Sequence, residues 1–279
     1  MAPASEPAFI HILGSRIDNI PSYRAAYGIL IRACREDAGP GHITVNNAHT
    51  MVEGARRPAF RQIINDSLLS LADGRPLSII GWLKGAREMH RIFGPTLLEK
   101  VLEWGQADGV RHFFFGNTPE TLEKMRTVIT QRYPKAIIAG MIAPPFRAFT
   151  EAENGLWLET MRAARPDLIW VSLGAPRQEE WISQHFRSLD CGLCIGIGAG
   201  FSYLAGTIRH APAWMKYMAL EWFYRLLQEP NRLWRRYVKN NTLFILYMIR
   251  ELLTGAHDQA RVSHEIEPPQ DQRATDRRP

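Results

Sequence analysis

Three glycine-bearing junctions in this 279-residue chain carry residue types suited to holding an anion. Gly116-Asn117-Thr118-Pro119-Glu120 sets a flexible glycine after an apolar run and a proline where a helix would begin. Gly174-Ala175-Pro176-Arg177-Gln178-Glu179 repeats the plan, and Gly196-Ile197-Gly198-Ala199-Gly200 places three spaced glycines after a third apolar run. Each pattern aims the free N–H groups of a helix N-terminus at the mouth of a sheet, a setting that suits phosphate or a nucleotide. Glycine and proline are also ordinary boundary residues, so one junction alone reads as a helix start. Three on one sheet edge point to a nucleotide site. Asp73, in Leu71-Ala72-Asp73-Gly74-Arg75-Pro76, is by its local pattern a turn residue, and Thr44 and Asn46 read as loop-capping polar groups.

The chain has no Asp-x-Asp pair to hold a divalent metal against a diphosphate. Cations and helix dipoles would therefore have to neutralise such a leaving group. Arg225, Arg232, Arg235, Arg236 and Lys239 supply the charge, interleaved with Trp222, Phe223, Tyr224, Trp234 and Tyr237. Cations and aromatics mixed on short helices fit an element lying on an anionic membrane surface. An amphipathic helix with its aromatics in the core fits the aromatics equally well. Cys191 and Cys194 form a C-x-x-C, but no further zinc ligands are evident nearby, so they read as residues of a buried strand. Gly196, Gly198 and Gly200 lack the dinucleotide spacing, and no Walker lysine motif occurs.

The elements that must position these residues alternate regularly. RHFFFG (111–116), KAIIAGM (135–141), PDLIWVSLG (166–174) and CGLCIGIGAG (191–200) are short apolar strand candidates. PETLEKMRTVITQRY, TEAENGLWLETMRAAR and PRQEEWISQHF between them are amphipathic helices. Upstream, AFIHILG (8–14) reads as a first strand, 22–35 as a helix, GHITVNNA (41–48) as a strand, then a helical stretch to about Asp66 and a short strand SLLSLADG. The expected fold is α/β, a Rossmann-like, mostly parallel sheet with helices on both faces, in which ligands gather at the carboxyl ends of the strands. After about Gly206 the pattern changes to two or three helices, broken at Pro230 and around Asn240–Asn241. We expect a catalytic domain over 1–206, a helical membrane-associating appendage over 207–255 and a disordered tail over 256–279.

At 46% hydrophobic and 22% charged residues the composition is that of a globular protein. MAPASEPAF lacks the basic and apolar runs of a leader, and the best apolar run, Thr242 to Ile249, falls short of the ~20 residues of a membrane span. The expected location is the cytoplasmic side. A net charge of +6 calls for an anionic partner: nucleic acid, anionic lipid or a phosphate-bearing substrate.

One family shows these residues in this order. Thr44-x-Asn46, Ala72 to Pro76, Gly174 to Glu179, Gly196 to Gly206, Ala211 to Trp214 and Glu221 to Arg232 resemble the motifs of the WecG/TagA/CpsF glycosyltransferases across about residues 10–240. Pro144-Pro145-Phe146-Arg147 is similar to the branch that includes the xanthan glucosyltransferase GumM. The resemblance implies a metal-independent, inverting transfer, without cofactor, from a UDP-sugar to a sugar on a polyprenyl diphosphate. UDP-glucose is favoured over UDP-N-acetylmannosamine or its uronic acid. It implies Asp73 as the base, which must ionise and reach the acceptor hydroxyl. Thr44 and Asn46 would position sugar and acceptor, while Gln178, Glu179 and the loops at Gly116, Gly174 and Gly196 to Gly200 would hold the donor. Arg225, Arg232 and Arg235 would bind diphosphate through their planar donor forks. The implied partners are the donor, the lipid-linked acceptor and an anionic membrane surface, with no nucleic acid and a homo-oligomer left open. The implied place is the inner face of a bacterial plasma membrane. From other classes, a non-catalytic nucleic-acid-binding protein would account for the charge alone, and a nucleotide-sugar oxidoreductase would need the missing dinucleotide fingerprint.

Overall fold

Five of six short strands bury side chains on both faces, which only a sheet covered by helices on both sides allows, and the sixth lies at the sheet edge. In the computed structural model, which describes residues 7–35, 39–212, 214–215, 218 and 220–254, these strands form one parallel sheet. They are β3 (Gly41–Asn46), β4 (Leu69–Ala72), β5 (Arg111–Gly116), β6 (Ile137–Ile142), β7 (Leu168–Ser172) and β8 (Leu193–Gly196). Their order across the sheet is β4-β3-β8-β7-β5-β6, with every neighbouring pair parallel.

The two-residue period of the strands divides the core. Ile43, Val45, Phe114, Leu168 and Trp170 face α1 (Tyr23–Arg35), α5 (Gly94–Asp108), α6 (Pro119–Arg132) and α9 (Gly200–Leu204). Phe113, Phe115, Ile169 and Val171 face α7 (Glu151–Ala164) and α8 (Arg177–His185). A third cluster joins α2 (Ala48–Arg56) and α3 (Pro58–Asn65) to the N-terminal strands through Met51, Val52, Phe60 and Ile64. Cys194 is fully buried on β8, where burial pushes its thiol up to about 12, and Cys34, Cys191 and Cys194 are all free.

The observed elements differ from the expected ones at four places. FIHI does form β1 (Phe9–Ile12), but it pairs antiparallel with β2 (Ser15–Asp18) in a hairpin outside the main sheet. Leu13 and Gly14, both at positive φ, make its two-residue turn, as a tight hairpin requires. Asp18 locks β2 under the sheet edge by accepting the Ser70 amide at 2.7 Å. The helical stretch before Asp66 is two helices, because Pro58 starts a new one after Arg57. Residues 75–110, unassigned by pattern, hold α4 (Arg75–Leu83) and α5. Lastly, α10 (Glu221–Gln228) ends before Pro230, but α11 (Pro230–Thr254) runs unbroken through Asn240–Asn241. The Asn240 side chain hydrogen-bonds His49 Nδ1 of α2 at 2.8 Å, which satisfies a polar group buried at the helix interface. The segment 256–279 lies outside the described residues.

Helix α11 is two-faced. Leu233, Asn240, Phe244 and Met248 are buried, and Phe244 and Met248 join the α2 and α3 cluster. Glu251 forms an ion pair with Lys84 at the end of α4. Since Phe244 is core rather than ornament, Phe244→Ala should cost about 3–5 kcal/mol in denaturant unfolding. A change near that of a surface substitution, within about 0.5 kcal/mol, would detach α11 from the fold.

Candidate active site

The carboxyl ends of β3, β4, β7 and β8 open into one cavity of about 440 Å³, a size that suits a small-molecule ligand. Parallel pairing of Asn46 with Ala72 brings the end of β3 beside the turn after β4. There the Asn46 carbonyl accepts the Asp73 amide at 2.7 Å and the Gly74 amide at 3.4 Å. This fixes Asp73 at the cavity wall. Its Oδ1 accepts the Gly94 amide at 2.9 Å, an N–H of the first turn of α5, and Asn47 bonds it by its side chain. Partial burial pushes the Asp73 carboxyl up to about 6, with Glu221 adding to the rise and Arg91, Gly94 and Asn47 opposing it. The group is thus ionised at neutral pH yet retains affinity for a proton, which is what a general base needs.

On the far wall the Gly174 and Gly196–Gly200 loops are tied together. Ser172 Oγ donates to the Gly198 carbonyl at 2.5 Å, and the Gly198 amide donates to Gln178 Oε1 at 3.0 Å. Gly174, Gln178, Glu179, Gly196 and Gly198 line the cavity, whereas Gly200 does not and instead opens α9. Gly116 is also off the wall. Its φ of +129° and a Cβ that would stand 2.4 Å from the Ser172 carbonyl demand glycine for packing, and Asn117 takes its place at the cavity. Glu179 is 2% exposed, and burial pushes its carboxyl up to about 7.

Thr44 and Asn46 stand behind the wall rather than on it. Their side chains are buried, with Asn46 Nδ2 donating to Thr44 Oγ1 and Ser70 Oγ, both at 2.9 Å. Direct contact with sugar or acceptor is therefore corrected to a supporting position: they join β3 to β4 beneath Asp73.

The appendage closes the cavity through Glu221, Trp222, Arg225, Tyr237, Asn240 and Asn241. Arg225 lies over Tyr203 at 5.5 Å and meets Glu229 at 3.3 Å, with its buried Nε unpartnered among the described residues. Arg235 is exposed, stacked on Trp234 at 5.3 Å and away from the cavity. That separates it from the expected diphosphate group. The Arg232 side chain lies outside the described residues. Among the described residues, no group of three or more His, Cys, Asp or Glu side chains could hold a metal.

Pattern reading missed Arg91. Its Nε donates to the Asp73 carbonyl at 2.7 Å, its guanidinium pairs with Glu221 and its plane rests 4.7 Å from the centre of Phe93. The only signal nearby is Phe93-Gly94-Pro95, a helix start with proline near its first position.

A carboxylate held by a strand-end turn, facing glycine-bearing loops and an arginine, is the equipment of a group-transfer enzyme. Comparison with known proteins says which. Residues 10–258 match the Glycosyl transferase WecG/TagA/CpsF family, and the chain belongs to it. It is a glycosyltransferase, which displaces the readings as a nucleic-acid-binding protein and as an oxidoreductase. Its relatives include proteins of Staphylococcus aureus strains MW2 and NCTC 8325 / PS 47 named N-acetylglucosaminyldiphosphoundecaprenol N-acetyl-beta-D-mannosaminyltransferase. Each is 25% identical over 236 residues, covering 83% of this chain and 89% of the relative.

With Asp73 as base, kcat/KM should fall about tenfold per pH unit below about 6, and Asp73→Asn should lower turnover roughly 10²- to 10⁴-fold or more. The stability sign is opposite. A carboxyl whose folded pKa is raised from 3.8 to about 6 favours the fold when protonated, and that contribution is lost as pH rises through this window. Asp73→Asn should thus melt higher than wild type at pH 8 and no higher at pH 4. Normal turnover in the variant would remove Asp73 from the reaction.

Proposed function

We propose that this enzyme transfers a hexose, with inversion, from a UDP-sugar to a sugar carried on a polyprenyl diphosphate, in the synthesis of a cell-surface polysaccharide. The carrying observation is that Asp73, the Gly174 and Gly196–Gly198 loops and Arg225 share one cavity. In the step proposed, the acceptor hydroxyl oxygen attacks the anomeric carbon as Asp73 takes its proton. The bond from that carbon to the diphosphate oxygen breaks, and UDP leaves with the electron pair. Arg225 and the loop amides meet the charge that develops on the leaving group. The acceptor class follows the names of the relatives, whose sugar carrier is a diphosphoundecaprenol.

For the transferred sugar, glucose is favoured by the Pro144–Arg147 resemblance, and Phe146 of that segment reaches the cavity. The second reading, N-acetylmannosamine, is favoured by the names of the relatives. A panel of UDP-sugars offered with a short-chain lipid-diphosphate sugar decides. We expect turnover with UDP-glucose, unchanged by EDTA. Turnover with UDP-N-acetylmannosamine alone would assign the relatives' sugar, and no turnover with any UDP-sugar would end the donor reading.

We further infer that residues 1–206 form the catalytic unit and 207–255 an appendage that rests on the inner face of a bacterial plasma membrane. No helix among the described residues is long and apolar enough to cross a membrane. The outer face of α11 is apolar along Trp234, Val238, Ile245, Ile249 and Leu252, all exposed, with Arg235, Lys239 and Arg250 exposed among them. Trp82 and Leu83 of α4 are exposed beside Lys84, which anchors the end of α11. Apolar and cationic groups so mixed support interfacial binding. Trp234→Glu combined with Ile245→Glu should abolish flotation with anionic vesicles while leaving the melting temperature near wild type, because neither residue is core. Undiminished flotation would overturn the docking face.

A further inference from the structure

Among the described residues, Glu179 is the cavity-wall carboxyl with a buried oxygen that the fold leaves unsatisfied. It follows Gln178 in the first turn of α8. The Gln178 amide is oriented from its far side, because its Oε1 accepts the Gly198 N–H at 3.0 Å. That leaves Gln178 Nε2 to donate to Glu179 Oε1 at 2.8 Å. Glu179 Oε2 is buried and has no partner among the described residues. A buried acceptor left bare is costly, and such groups in native proteins usually have a reason to be there.

The ligand group that completes it must donate hydrogen bonds and carry no negative charge. A diphosphate is excluded by repulsion, and the guanidinium proposed for it, Arg225, stands over Tyr203 beside Glu229. In a nucleoside diphosphate sugar the remaining donors are the hydroxyls of the ribose and of the transferred sugar, together with the base imide. Position selects among them. Gln178 packs on Gly196 at the end of β8, and β3 lies between β8 and β4, whose end carries Asp73. Two strand spacings separate those ends by roughly 10 Å. The anomeric carbon must lie against Asp73, and an extended diphosphate spans a comparable distance from it to the ribose. A carboxylate accepting from ribose hydroxyls is also a chemically well-matched pair in other α/β nucleotide sites.

We propose that Glu179 Oε2 accepts a hydrogen bond from the ribose hydroxyls of the donor nucleotide, so that Gln178 and Gly198 form a relay holding a ribose-recognition residue. This rests on the reading of the cavity as a UDP-sugar site. Titration calorimetry on the full chain with UDP, and with UDP lacking both the 2′ and 3′ hydroxyls, tests it without any variant. Wild type should bind the dideoxy compound about 10- to 100-fold more weakly. Glu179→Met, which keeps the length of the side chain and removes the acceptor, should bring that ratio near one, with folding checked by its melting curve. Equal binding of the two nucleotides by wild type would overturn the proposal, as would the same discrimination in the variant. If Glu179→Met weakened UDP-glucose but not UDP, the carboxyl would face the transferred sugar and the ribose assignment would fall. Failure of UDP itself to bind is a separate result, since it would sink the donor reading on which the assignment rests.

Discussion

One guanidinium connects the appendage to the turn that carries Asp73. Arg91 donates to the backbone of Asp73 and pairs with Glu221 at the start of α10, so the turn carrying Asp73 and the helix carrying Arg225 share an anchor. Both partners of the ion pair are largely buried, with side chains 14% and 18% exposed. At that depth a missing partner leaves a desolvated charge, so each half strongly requires the other. Through this pair α10 is held at the cavity, where Glu221, Trp222 and Arg225 join its lining. The electrostatics follow the same joint. Arg91 lowers the proton affinity of Asp73 and Glu221 raises it, and the balance after burial leaves the carboxyl near 6.

Two of the cavity carboxyls, Asp73 and Glu179, are pushed upward by burial, but their surroundings differ. Asp73 has compensation at hand: an amide from the α5 N-terminus, the Asn47 side chain and the guanidinium of Arg91. It can hold a negative charge and give it up to a proton. Glu179 has one amide on one oxygen, its own backbone N–H as a further aid, and no cation among the named influences. A group of that kind is a poor place for diphosphate and a good one for hydroxyls. The cavity is therefore uneven, with Arg225 on the appendage side and the bare acceptor of Glu179 beside the end of β8.

How much of this was legible depended on whether a signal was local. β5, α6, α7 and β7 announce themselves by continuous apolar runs and amphipathic periods, and the structure places them within a residue or two of the expected bounds. β2 carries no such signal. Ser15-Arg16-Ile17-Asp18 becomes a strand because it pairs with β1 and because Asp18 finds the Ser70 amide, both long-range facts. Asn240 and Asn241 look like a helix break by propensity, yet the bond to His49 satisfies Asn240 inside the helix. In the site, the glycine junctions and Asp73 were visible as turn chemistry, whereas Arg91 was not. It sits in an irregular segment, and its meaning comes from a glutamate far downstream. Thr44 and Asn46 were visible as polar residues at a strand end, but only coordinates could put their side chains behind the wall.

The two faces of α11 explain why an appendage is built this way. A helix that merely lay on a membrane would tell the sheet nothing about being there. Here the same 25 residues bury Phe244 and Met248 against α2, whose N-terminal cap, Asn47, bonds Asp73, while the opposite face offers Trp234, Ile245 and Ile249 outward. A load on the outer face is transmitted through close-packed side chains, which deform little. On the proposed reading, a lipid-linked acceptor arrives from the surface that α11 touches and meets a cavity whose wall includes Trp222 and Tyr237 from that same appendage. On that reading the helix links the lipid surface to the turn that carries Asp73, through α2 and its cap Asn47.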